Sequence, residues 1–275
     1  MLLTGASSGI GKETAVELAR GGAELTIVCR DAEKSARARE EIMRRSGSRS
    51  VHAMWADLER LREVRRLAAE FSASNPVLHV LVNNAGRDYP TYAETEDGLE
   101  RTMALNYFSP FLLTNLLLPL LERGAPSRVV NVASVAHASG RLDLQDLNAR
   151  GDMGTGGLAA YSRSKLALVL FTYELARRLQ GKGVTANSLH PGAVRTRIWQ
   201  HTGGFTPLTT LASLFMIGPK RGARTSIYLA TSPEVEGVTG QYFYKCQRRH
   251  SSRVSQDPVL AGKLWERSRT ITGLA

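Results

Sequence analysis

Cysteine is scarce in this chain of 275 residues, where Cys29 and Cys246 are the two present. Two thiols cannot build a disulfide framework, and no Asn-x-Ser/Thr sequon occurs, so we expect a reducing, intracellular compartment. The six histidines include no His-x-x-x-His pair, and we therefore expect no metal site. Long apolar runs are also lacking, which leads us to expect no membrane-spanning segment and no signal peptide.

Positive charge is in excess, yet it is not concentrated. The chain has 36 Lys and Arg against 25 Asp and Glu, a formal net charge of +11. These cations are scattered over predicted helix faces, without the basic patch and interleaved aromatic residues typical of nucleic-acid binding. We expect no nucleic-acid partner. A basic surface of this kind instead attracts anionic cofactors and anionic lipid headgroups.

Short apolar runs alternate with longer amphipathic stretches along the chain. The runs predicted as strands are 2–4, 25–30, 51–56, 77–83, 128–134 and 184–189, and 242–244 is predicted as the last strand. The stretches predicted as helices are 13–20, 32–45, 58–72 and 99–121, with a C-terminal helix at about 258–271. This alternation predicts an α/β fold, with a doubly wound parallel sheet, helices on both faces and a single domain over 1–275.

A glycine-rich turn lies between the first predicted strand and the first predicted helix. Glycine permits a tight turn and close approach of the backbone to a pyrophosphate, whose charge meets the N–H groups at the start of the helix. We therefore predict a dinucleotide site at this turn. Its cofactor-binding residues are predicted to be Gly5, Ser7, Ser8, Gly9, Ile10 and Gly11.

The type of dinucleotide is indicated by the end of the second strand. An acidic residue at this position hydrogen-bonds the ribose 2′-hydroxyl of NAD, whereas this chain has Arg30, and Lys12 follows the glycine turn. Two cations suit a 2′-phosphate, so we predict that NADP(H) is preferred over NAD(H). The alternative is that Arg30 merely faces solvent or pairs with Asp31.

Tyr161 and Lys165 are four residues apart, which places both side chains on one face if the segment is helical. An ammonium close to a phenol favours the phenolate, so we predict that Lys165 lowers the pKa of Tyr161. Tyr161 is then suited to general acid/base chemistry. The alternative is an ordinary pair on a solvated helix.

Several separate motifs resemble the short-chain dehydrogenase/reductase family, and the resemblance covers nearly the whole chain. They are the glycine turn, Asn83-Asn84-Ala85-Gly86, Ser134, Tyr161-x-x-x-Lys165 and Pro191-Gly192. Finer segments resemble the retinol dehydrogenase branch of that family, namely 9–15, 29–31, 132–137 and 190–192. The resemblance implies a Rossmann fold that binds NADP.

The resemblance also implies further cofactor contacts. Asp57 with Leu58 would contact the adenine, and Thr196 would reach the nicotinamide carboxamide. The other implied cofactor-binding residues are Asn83, Ala85, Gly86, Tyr161, Lys165, Pro191 and Gly192. Two alternatives stay open: Asp57 caps the following helix, and the turn at 83–86 only closes a strand.

The resemblance implies four catalytic residues. Ser134 would donate a hydrogen bond to the substrate oxygen, Tyr161 would move the proton, and Lys165 would hold the nicotinamide ribose. Asn106 would support a water relay. The alternatives are that Ser134 only caps a turn and that Asn106 only bends its helix through a backbone contact.

The implied activity is that of an NADP(H)-dependent oxidoreductase that interconverts a lipophilic alcohol and its aldehyde or ketone. Retinol and retinal are the first candidate substrate pair. The alternatives are a steroid or other lipid carbonyl as substrate, or a dinucleotide-binding protein with weak catalysis. We expect the polar insert 143–157 to form a loop at the rim of the site. A substrate lid is expected at about 195–220, and its apolar part, 205–217, suits a lipophilic substrate.

The expected location is cytoplasmic or at the endoplasmic-reticulum membrane. Only four residues precede the glycine turn, which is short for a central strand, and retinol dehydrogenase-like relatives carry a hydrophobic N-terminal anchor that this chain lacks. Either upstream residues are missing or the enzyme is soluble. The apolar segment 205–217 is our candidate for a peripheral membrane contact, the alternative being a buried helix. We expect the helix at 258–271 to pack on the domain or to contribute to a homodimer.

Overall fold

Eight strands form one sheet in the computed structural model, which describes residues 1–148, 150, 153–192 and 218–274. They are β1 (Leu2–Thr4), β2 (Leu25–Cys29), β3 (Val51–Trp55), β4 (Val80–Asn83), β5 (Ser127–Val132), β6 (Val184–Leu189), β7 (Gln241–Tyr244) and β8 (Gln247–Arg249). Their spatial order is β3-β2-β1-β4-β5-β6-β7-β8. Strands β1 to β7 run parallel, which confirms the predicted doubly wound sheet.

The helices include two, Leu158–Arg178 and Pro219–Thr231, that were not among the predicted ones, and the others lie close to the predicted positions. They are α1 (Gly9–Arg20), α2 (Ala32–Ser46), α3 (Leu61–Ser74), α4 (Arg101–Met103), α5 (Ser109–Arg123), α6 (Leu158–Arg178), α7 (Pro219–Thr231) and α8 (Pro258–Thr272). A turn of π-helix, Ala104–Phe108, joins α4 to α5. The predicted alternation of strands and helices in a single α/β domain is confirmed.

Two apolar cores lie on opposite faces of the sheet. Alternate strand residues supply them, because successive side chains point to opposite faces: Leu2 and Leu81 pack with α3, α5, α6 and α8, whereas Leu3 and Val82 pack with α1, α2 and α7. Burial on both faces explains why the strands read as continuous apolar runs rather than alternating ones.

The last strand departs from the parallel pattern. β8 pairs antiparallel with β7, through a tight reversal in which Lys245 and Cys246 both have positive φ angles, of 50° and 62°. Glycine, asparagine and aspartate favour such a reversal, and the chain has none of them at these two positions. β8 was therefore not among the predicted strands.

The helical stretch from Arg101 to Arg123 corrects one expectation. We expected no segment of membrane-spanning length, yet this one has 23 residues and is apolar enough to span a bilayer. Most of its apolar part is buried inside the protein. The π turn and α5 pack there against α3, α6 and α8, as expected of a core helix.

The C-terminal helix α8 packs on its own domain, the first of the two predicted arrangements. The Trp265 ring lies 5.1 Å from the Phe111 ring and 5.7 Å from the Phe171 ring, measured between centroids. The hydroxyl groups of Tyr107 and Ser268 are 2.6 Å apart. A homodimer stays a prediction.

The strand order reverses at β1, which pairs with β2 on one side and β4 on the other. In a doubly wound sheet this reversal opens a crevice outside the carboxyl ends of the strands, where ligands bind. The glycine turn follows β1, residues 84–86 follow β4, and Ser134 follows β5. The topology therefore brings the predicted site residues to one edge.

Candidate active site

The glycine turn is held in place by the loop after β4. The Asn84 side chain donates to the carbonyl oxygens of Thr4 and Gly5, at 2.9 and 3.2 Å. The Thr4 hydroxyl oxygen accepts from the main-chain N–H groups of Asn84 and Ala85, at 3.1 and 3.0 Å. Asn84 was not among the predicted cofactor-binding residues, and the structure assigns it a bracing position between the two loops.

The turn has no room for side chains where Gly5 and Gly11 meet. A Cβ atom on Gly11 would lie 2.2 Å from the Gly5 carbonyl oxygen and 2.4 Å from the Asn84 amide nitrogen. Gly5 and Gly9 have φ angles of +75° and +59°, in the region that glycine adopts freely. The resulting cradle, with α1 starting at Gly9, fits a pyrophosphate.

The first turn of α1 presents its N–H groups to the crevice. Ser8 stands at the N-cap, exposed to solvent, without a capping hydrogen bond from its side chain among the described residues. Ser7 and Ile10 are partly exposed beside it. Uncapped N–H groups at a helix start, with the helix dipole behind them, favour an anion.

Arg30 lies at the end of β2, half-exposed, between two carboxylates. Its guanidinium is 3.6 Å from Asp57 Oδ2 and 3.4 Å from Glu59 Oε1. Asp31 instead accepts the Lys34 N–H at 2.8 Å and caps α2. The alternative partner considered for Arg30, Asp31, is therefore engaged elsewhere.

Glu59 is the residue at this end of the site that the sequence did not reveal. It is 6% exposed, accepts from Arg101 Nε at 2.7 Å, and accepts from the Tyr89 hydroxyl. The Arg101 guanidinium stacks 4.0 Å above the Tyr89 ring. Burial next to the Glu59 carboxylate raises the pKa of Tyr89 to about 12, so this phenol stays protonated and donates.

Asp57 and its neighbour Leu58 begin the connection to α3. The Asp57 carboxylate accepts the Glu59 N–H at 3.3 Å, while Asp97 accepts the N–H of Leu61, the first residue of α3, at 2.9 Å. Asp57 therefore closes the turn before α3, and Asp97 accepts a hydrogen bond from a main-chain N–H group in the first turn of α3. Leu58 is buried.

Lys12, the second predicted cation, is paired within the protein. Its ammonium lies 2.6 Å from the Glu41 carboxylate on α2. Burial raises the pKa of the Cys29 thiol at the end of β2, and the positive charge of Lys12 opposes that rise. Lys12 is therefore near the expected phosphate position, with a partner that the phosphate would have to displace.

Asn83 directs its side chain into the protein core. Its amide donates to Asn131 Oδ1 at 2.8 Å and to Thr114 Oγ1 at 3.0 Å, and Asn131 donates to Thr172 at 2.9 Å. These residues form a buried polar chain that links β4 and β5 to α5 and α6. Such a chain fixes the strand ends that carry the site.

Asn106 lies in the π turn and is fully buried. Its side chain accepts from Arg87 N and donates to Arg87 O, both at 2.9 Å, and donates to Ser164 Oγ at 2.9 Å. A Cβ atom on Gly86 would lie 3.2 Å from both Asn106 Oδ1 and Lys165 Nζ. Asn106 therefore joins the loop after β4 to α6, immediately next to Lys165.

Ser134 directly follows β5 and begins a short 3-10 turn. Its hydroxyl accepts the Ala136 N–H at 3.2 Å, as the capping alternative predicted. Ser134 also lies close enough to the Tyr161 phenol for hydrogen bonding to lower the pKa of that phenol. The serine therefore caps the turn and faces the phenol at the same time.

Tyr161 does not have the lowered pKa that we predicted. Burial raises its pKa to about 12, against the weaker effect of the Ser134 hydrogen bond, and the nearby Asp88 raises it further. Lys165 shares the same buried helix face, with its ammonium 5.7 Å from the centre of the Tyr161 ring. Desolvation, and not the neighbouring cation, therefore sets the direction of the pKa shift.

Lys165 is itself desolvated. Burial lowers its pKa to about 8, and its ammonium donates to the carbonyl oxygen of Val132 at 2.9 Å. Val132 ends β5, two residues before Ser134. One strand end therefore supports both groups.

The segment after β6 is described only at its start. Pro191 and Gly192 are partly exposed, and Gly192, with a φ angle of +91°, donates to His190 Nδ1 at 3.3 Å. The predicted carboxamide contact, Thr196, lies outside the described residues. So does the apolar part of the predicted lid, 205–217.

Part of the insert 143–157 can be placed. Asn148 donates to the Gly98 carbonyl at 2.7 Å and accepts the Glu100 N–H at 3.0 Å. At its other end a Cβ atom on Gly157 would lie 2.1 Å from the Tyr89 carbonyl oxygen. The described part of the insert is thus anchored against the loop between β4 and α4, and its position at the rim of the site stays a prediction.

Known proteins resemble this chain over most of its length. Residues 5–245 match the family model described as enoyl-(acyl carrier protein) reductase. Human retinol dehydrogenase 13 is 42% identical over 280 residues, which cover 100% of this chain and 84% of that protein.

Solved structures resemble the fold over most of its length. The crystal structure of an uncharacterized protein from Mycobacterium Paratuberculosis has a TM-score of 0.78 and 35% identity, covering 99% of this chain and 92% of that one. The RhlG/NADP active-site complex of Pseudomonas aeruginosa has a TM-score of 0.71 and 31% identity, covering 88% and 92%. The chain therefore belongs to the short-chain dehydrogenase/reductase family and is an oxidoreductase related to the retinol dehydrogenases.

Proposed function

We propose that this protein is an NADP(H)-dependent oxidoreductase that interconverts a lipophilic alcohol and its aldehyde or ketone, with retinol/retinal as the first substrate. The observation that carries the proposal is the surroundings of the buried Tyr161 phenol, which lies beside the Ser134 side chain and on the same helix face as Lys165. An acid/base and a polarising donor must meet at the substrate oxygen in this chemistry.

Each of these groups has a task in the proposed reaction. When bound, the nicotinamide supplies the hydride for a carbonyl or accepts it from an alcohol. Ser134 donates to the substrate oxygen, and Tyr161 gives that oxygen its proton or removes it. Because burial raises the pKa of Tyr161 to about 12, the phenol starts protonated at neutral pH, which suits carbonyl reduction.

Lys165 and Asn106 support the proton transfer. The Lys165 ammonium, now donating to the Val132 carbonyl, would hold the nicotinamide ribose and oppose the raised pKa of Tyr161. Asn106, which binds both main-chain groups of Arg87 and the Ser164 hydroxyl, would fix the backbone along which a water relay runs. In this proposal each of the four predicted catalytic residues has a role in the reaction.

Preference for NADP(H) is supported by the charges at the adenine end. Arg30 is half-exposed and would meet a 2′-phosphate through charge-assisted hydrogen bonds. Asp57 and Glu59 orient its guanidinium, and Lys12 would add a second cation on leaving Glu41. The RhlG structure, which resembles this chain, is a complex with NADP.

A lipophilic substrate is supported by two exposed apolar side chains on the rim. Val135, next to Ser134, is 62% exposed, and Leu158, one helical turn before Tyr161, is 48% exposed. Exposed apolar groups beside polar catalytic groups are typical of a pocket for an apolar ligand. The relatives named retinol dehydrogenase agree with this class of substrate.

The test is turnover of retinal by the purified protein with NADPH and, in parallel, NADH, followed by cofactor absorbance and product chromatography. Tyr161→Phe and Ser134→Ala should each lower kcat by about 100-fold or more. The matched control is Tyr173→Phe on the same helix, whose hydroxyl contacts Ser251, and which should leave kcat unchanged. Equal turnover by Tyr161→Phe and the wild type would refute the mechanism.

The same assay separates the alternatives. If a steroid ketone or a simple lipid aldehyde is turned over faster than retinal, that compound is the better substrate, and the substrate class stays lipophilic. Tight NADPH binding without turnover of any carbonyl would leave only dinucleotide binding.

A further inference from the structure

His137 lies three residues after Ser134, in the 3-10 turn that Ser134 begins, and is 4% exposed. Its Nδ1 atom is 2.7 Å from the Ser134 carbonyl oxygen. Its Nε2 atom is 3.0 Å from the main-chain nitrogen of Ser252. The imidazole thus bridges the serine at the end of β5 and the segment that follows β8.

The two partners fix the tautomer of the ring. A main-chain N–H can only donate, so Nε2 of His137 accepts from Ser252 and carries no proton. A carbonyl oxygen can only accept, so Nδ1 carries the proton and donates to Ser134. Burial lowers the pKa of His137, which agrees with a neutral ring.

Tyr242 on β7 completes the support of Ser134. Its hydroxyl lies 3.3 Å from the Ser134 carbonyl oxygen and 3.3 Å from His137 Nδ1, and the Tyr242 and His137 rings are 4.8 Å apart. The Ser134 carbonyl also accepts the His137 N–H at 3.2 Å. This one carbonyl therefore has three donors around it, two of them from side chains.

We propose that His137 is a positioning residue for Ser134, holding the serine main chain so that its hydroxyl faces Tyr161, and tying that orientation to the C-terminal segment through Ser252. The proposal rests on the proposed function, because it assumes that Ser134 acts on the substrate. His137 does not touch the reacting atoms in this arrangement, and it acts through the Ser134 backbone.

The two ring nitrogens of His137 therefore have different roles. Donation from Nδ1 to Ser134 sets the orientation of the serine, whereas acceptance at Nε2 from Ser252 sets the orientation of the ring. An asparagine at 137 can place an amide donor near the Nδ1 position but is too short to reach Ser252. A glutamine reaches toward Ser252 but leaves the Nδ1 position without a donor.

The experiment compares His137→Asn and His137→Gln in the full chain, with steady-state kinetics in NADPH and retinal. We expect His137→Gln to lower kcat by about 10-fold to 100-fold with the KM for NADPH unchanged, because a misplaced serine costs rate rather than cofactor binding. His137→Asn should keep kcat within about three-fold of the wild type, since the donor to Ser134 is retained.

Thermal unfolding separates positioning from stability. If the two variants lose kcat in proportion to their loss of Tm, or if His137→Gln keeps wild-type kcat, the inference is overturned. Imidazole nitrogen NMR of the wild type should report the Nδ1–H tautomer, and the Nε2–H tautomer would also overturn it. A wild-type protein that turns over no carbonyl would remove the proposed function first, and the assigned role of Ser134 with it.

Discussion

The Lys165 ammonium donates to the main-chain carbonyl of Val132 at 2.9 Å, and it lies 5.7 Å from the centre of the Tyr161 ring. The lysine is thus fixed to the end of the strand that leads to Ser134. This contact is a hydrogen bond of a buried charge to a neutral carbonyl, which offsets only part of the cost of desolvation. The cofactor-free protein therefore carries a cation that its fold disfavours.

Lys165→Met should stabilise the cofactor-free protein at neutral pH while abolishing turnover. Burial lowers the pKa of Lys165 from 10.5 to about 8, which corresponds to roughly 3 kcal/mol against the charged form at about 1.4 kcal/mol per unit. Loss of the hydrogen bond to Val132 removes about 1 kcal/mol. We expect a net gain of about 1–2 kcal/mol, measured by urea denaturation at pH 7.

The gain should depend on pH in a defined direction. A lowered pKa means that the folded state favours neutral Lys165. The wild type therefore has its full stability above pH 10.5 and loses stability as the pH falls from 10.5 to about 8, where the folded state takes up the proton. The gain of Lys165→Met over the wild type should therefore be largest below pH 8 and shrink as the pH rises, and above pH 10.5 it should become a loss of about 1 kcal/mol from the missing hydrogen bond. A variant less stable than the wild type at pH 7 would contradict this account.

Gly11→Ala should abolish binding of the dinucleotide. The new Cβ would stand 2.2 Å from the Gly5 carbonyl oxygen, so the turn must open, at a cost of about 1–3 kcal/mol in stability. The measurement is NADPH affinity by fluorescence titration, together with Tm. Gly262→Ala on α8 is the control: among the described residues, no atom outside the helix's own backbone and the two chain neighbours lies within 4 Å of the added group, and the helix should gain about 0.5–1 kcal/mol.

Asn106→Ala should both destabilise the protein and slow turnover. It removes the two bonds to the main chain of Arg87 and the bond to Ser164, a loss of about 2–4 kcal/mol. Asn115→Ala on the same stretch loses one bond, to Phe111, and should cost about 1 kcal/mol or less. Chemical denaturation and kcat measure both; equal losses would show that Asn106 has no special role.

Arg30→Ala should change the choice of cofactor rather than the chemistry. We expect the KM for NADPH to rise by about 10-fold to 100-fold, as expected for lost charge-assisted hydrogen bonds, with the KM for NADH little changed. Arg37→Ala is the control, because Arg37 is an exposed cation on α2 that pairs with Glu33. If both cofactors weaken equally, Arg30 does not recognise the 2′-phosphate.

The sequence predicted well the features that depend on local spacing. Four residues between Tyr161 and Lys165 place them on one helix face whatever surrounds that helix. Likewise, a glycine turn between an apolar run and an amphipathic one predicts strand, turn and helix. These features follow from the regular geometry of the backbone and need no knowledge of the neighbours.

The partners of the charged groups could not be predicted in this way. Glu59 approaches Arg30 because the ends of β2 and β3 come together in the fold, and Glu41 approaches Lys12 because α1 and α2 do. The pKa of Tyr161 failed as a prediction for the same reason. Its sign is set by how completely the core encloses the phenol, and spacing along the chain contains no information on that enclosure.

β8 is the outermost strand of the sheet, and its three residues are all exposed, Arg248 and Arg249 among them. An open edge of this kind offers unpaired main-chain groups to any other extended chain, and short length with charged side chains discourages such pairing. Some of the surplus positive charge is therefore placed where it opposes aggregation. Arg248 and Arg249 thus add to the basic isoelectric point and also discourage other chains from pairing with this edge strand.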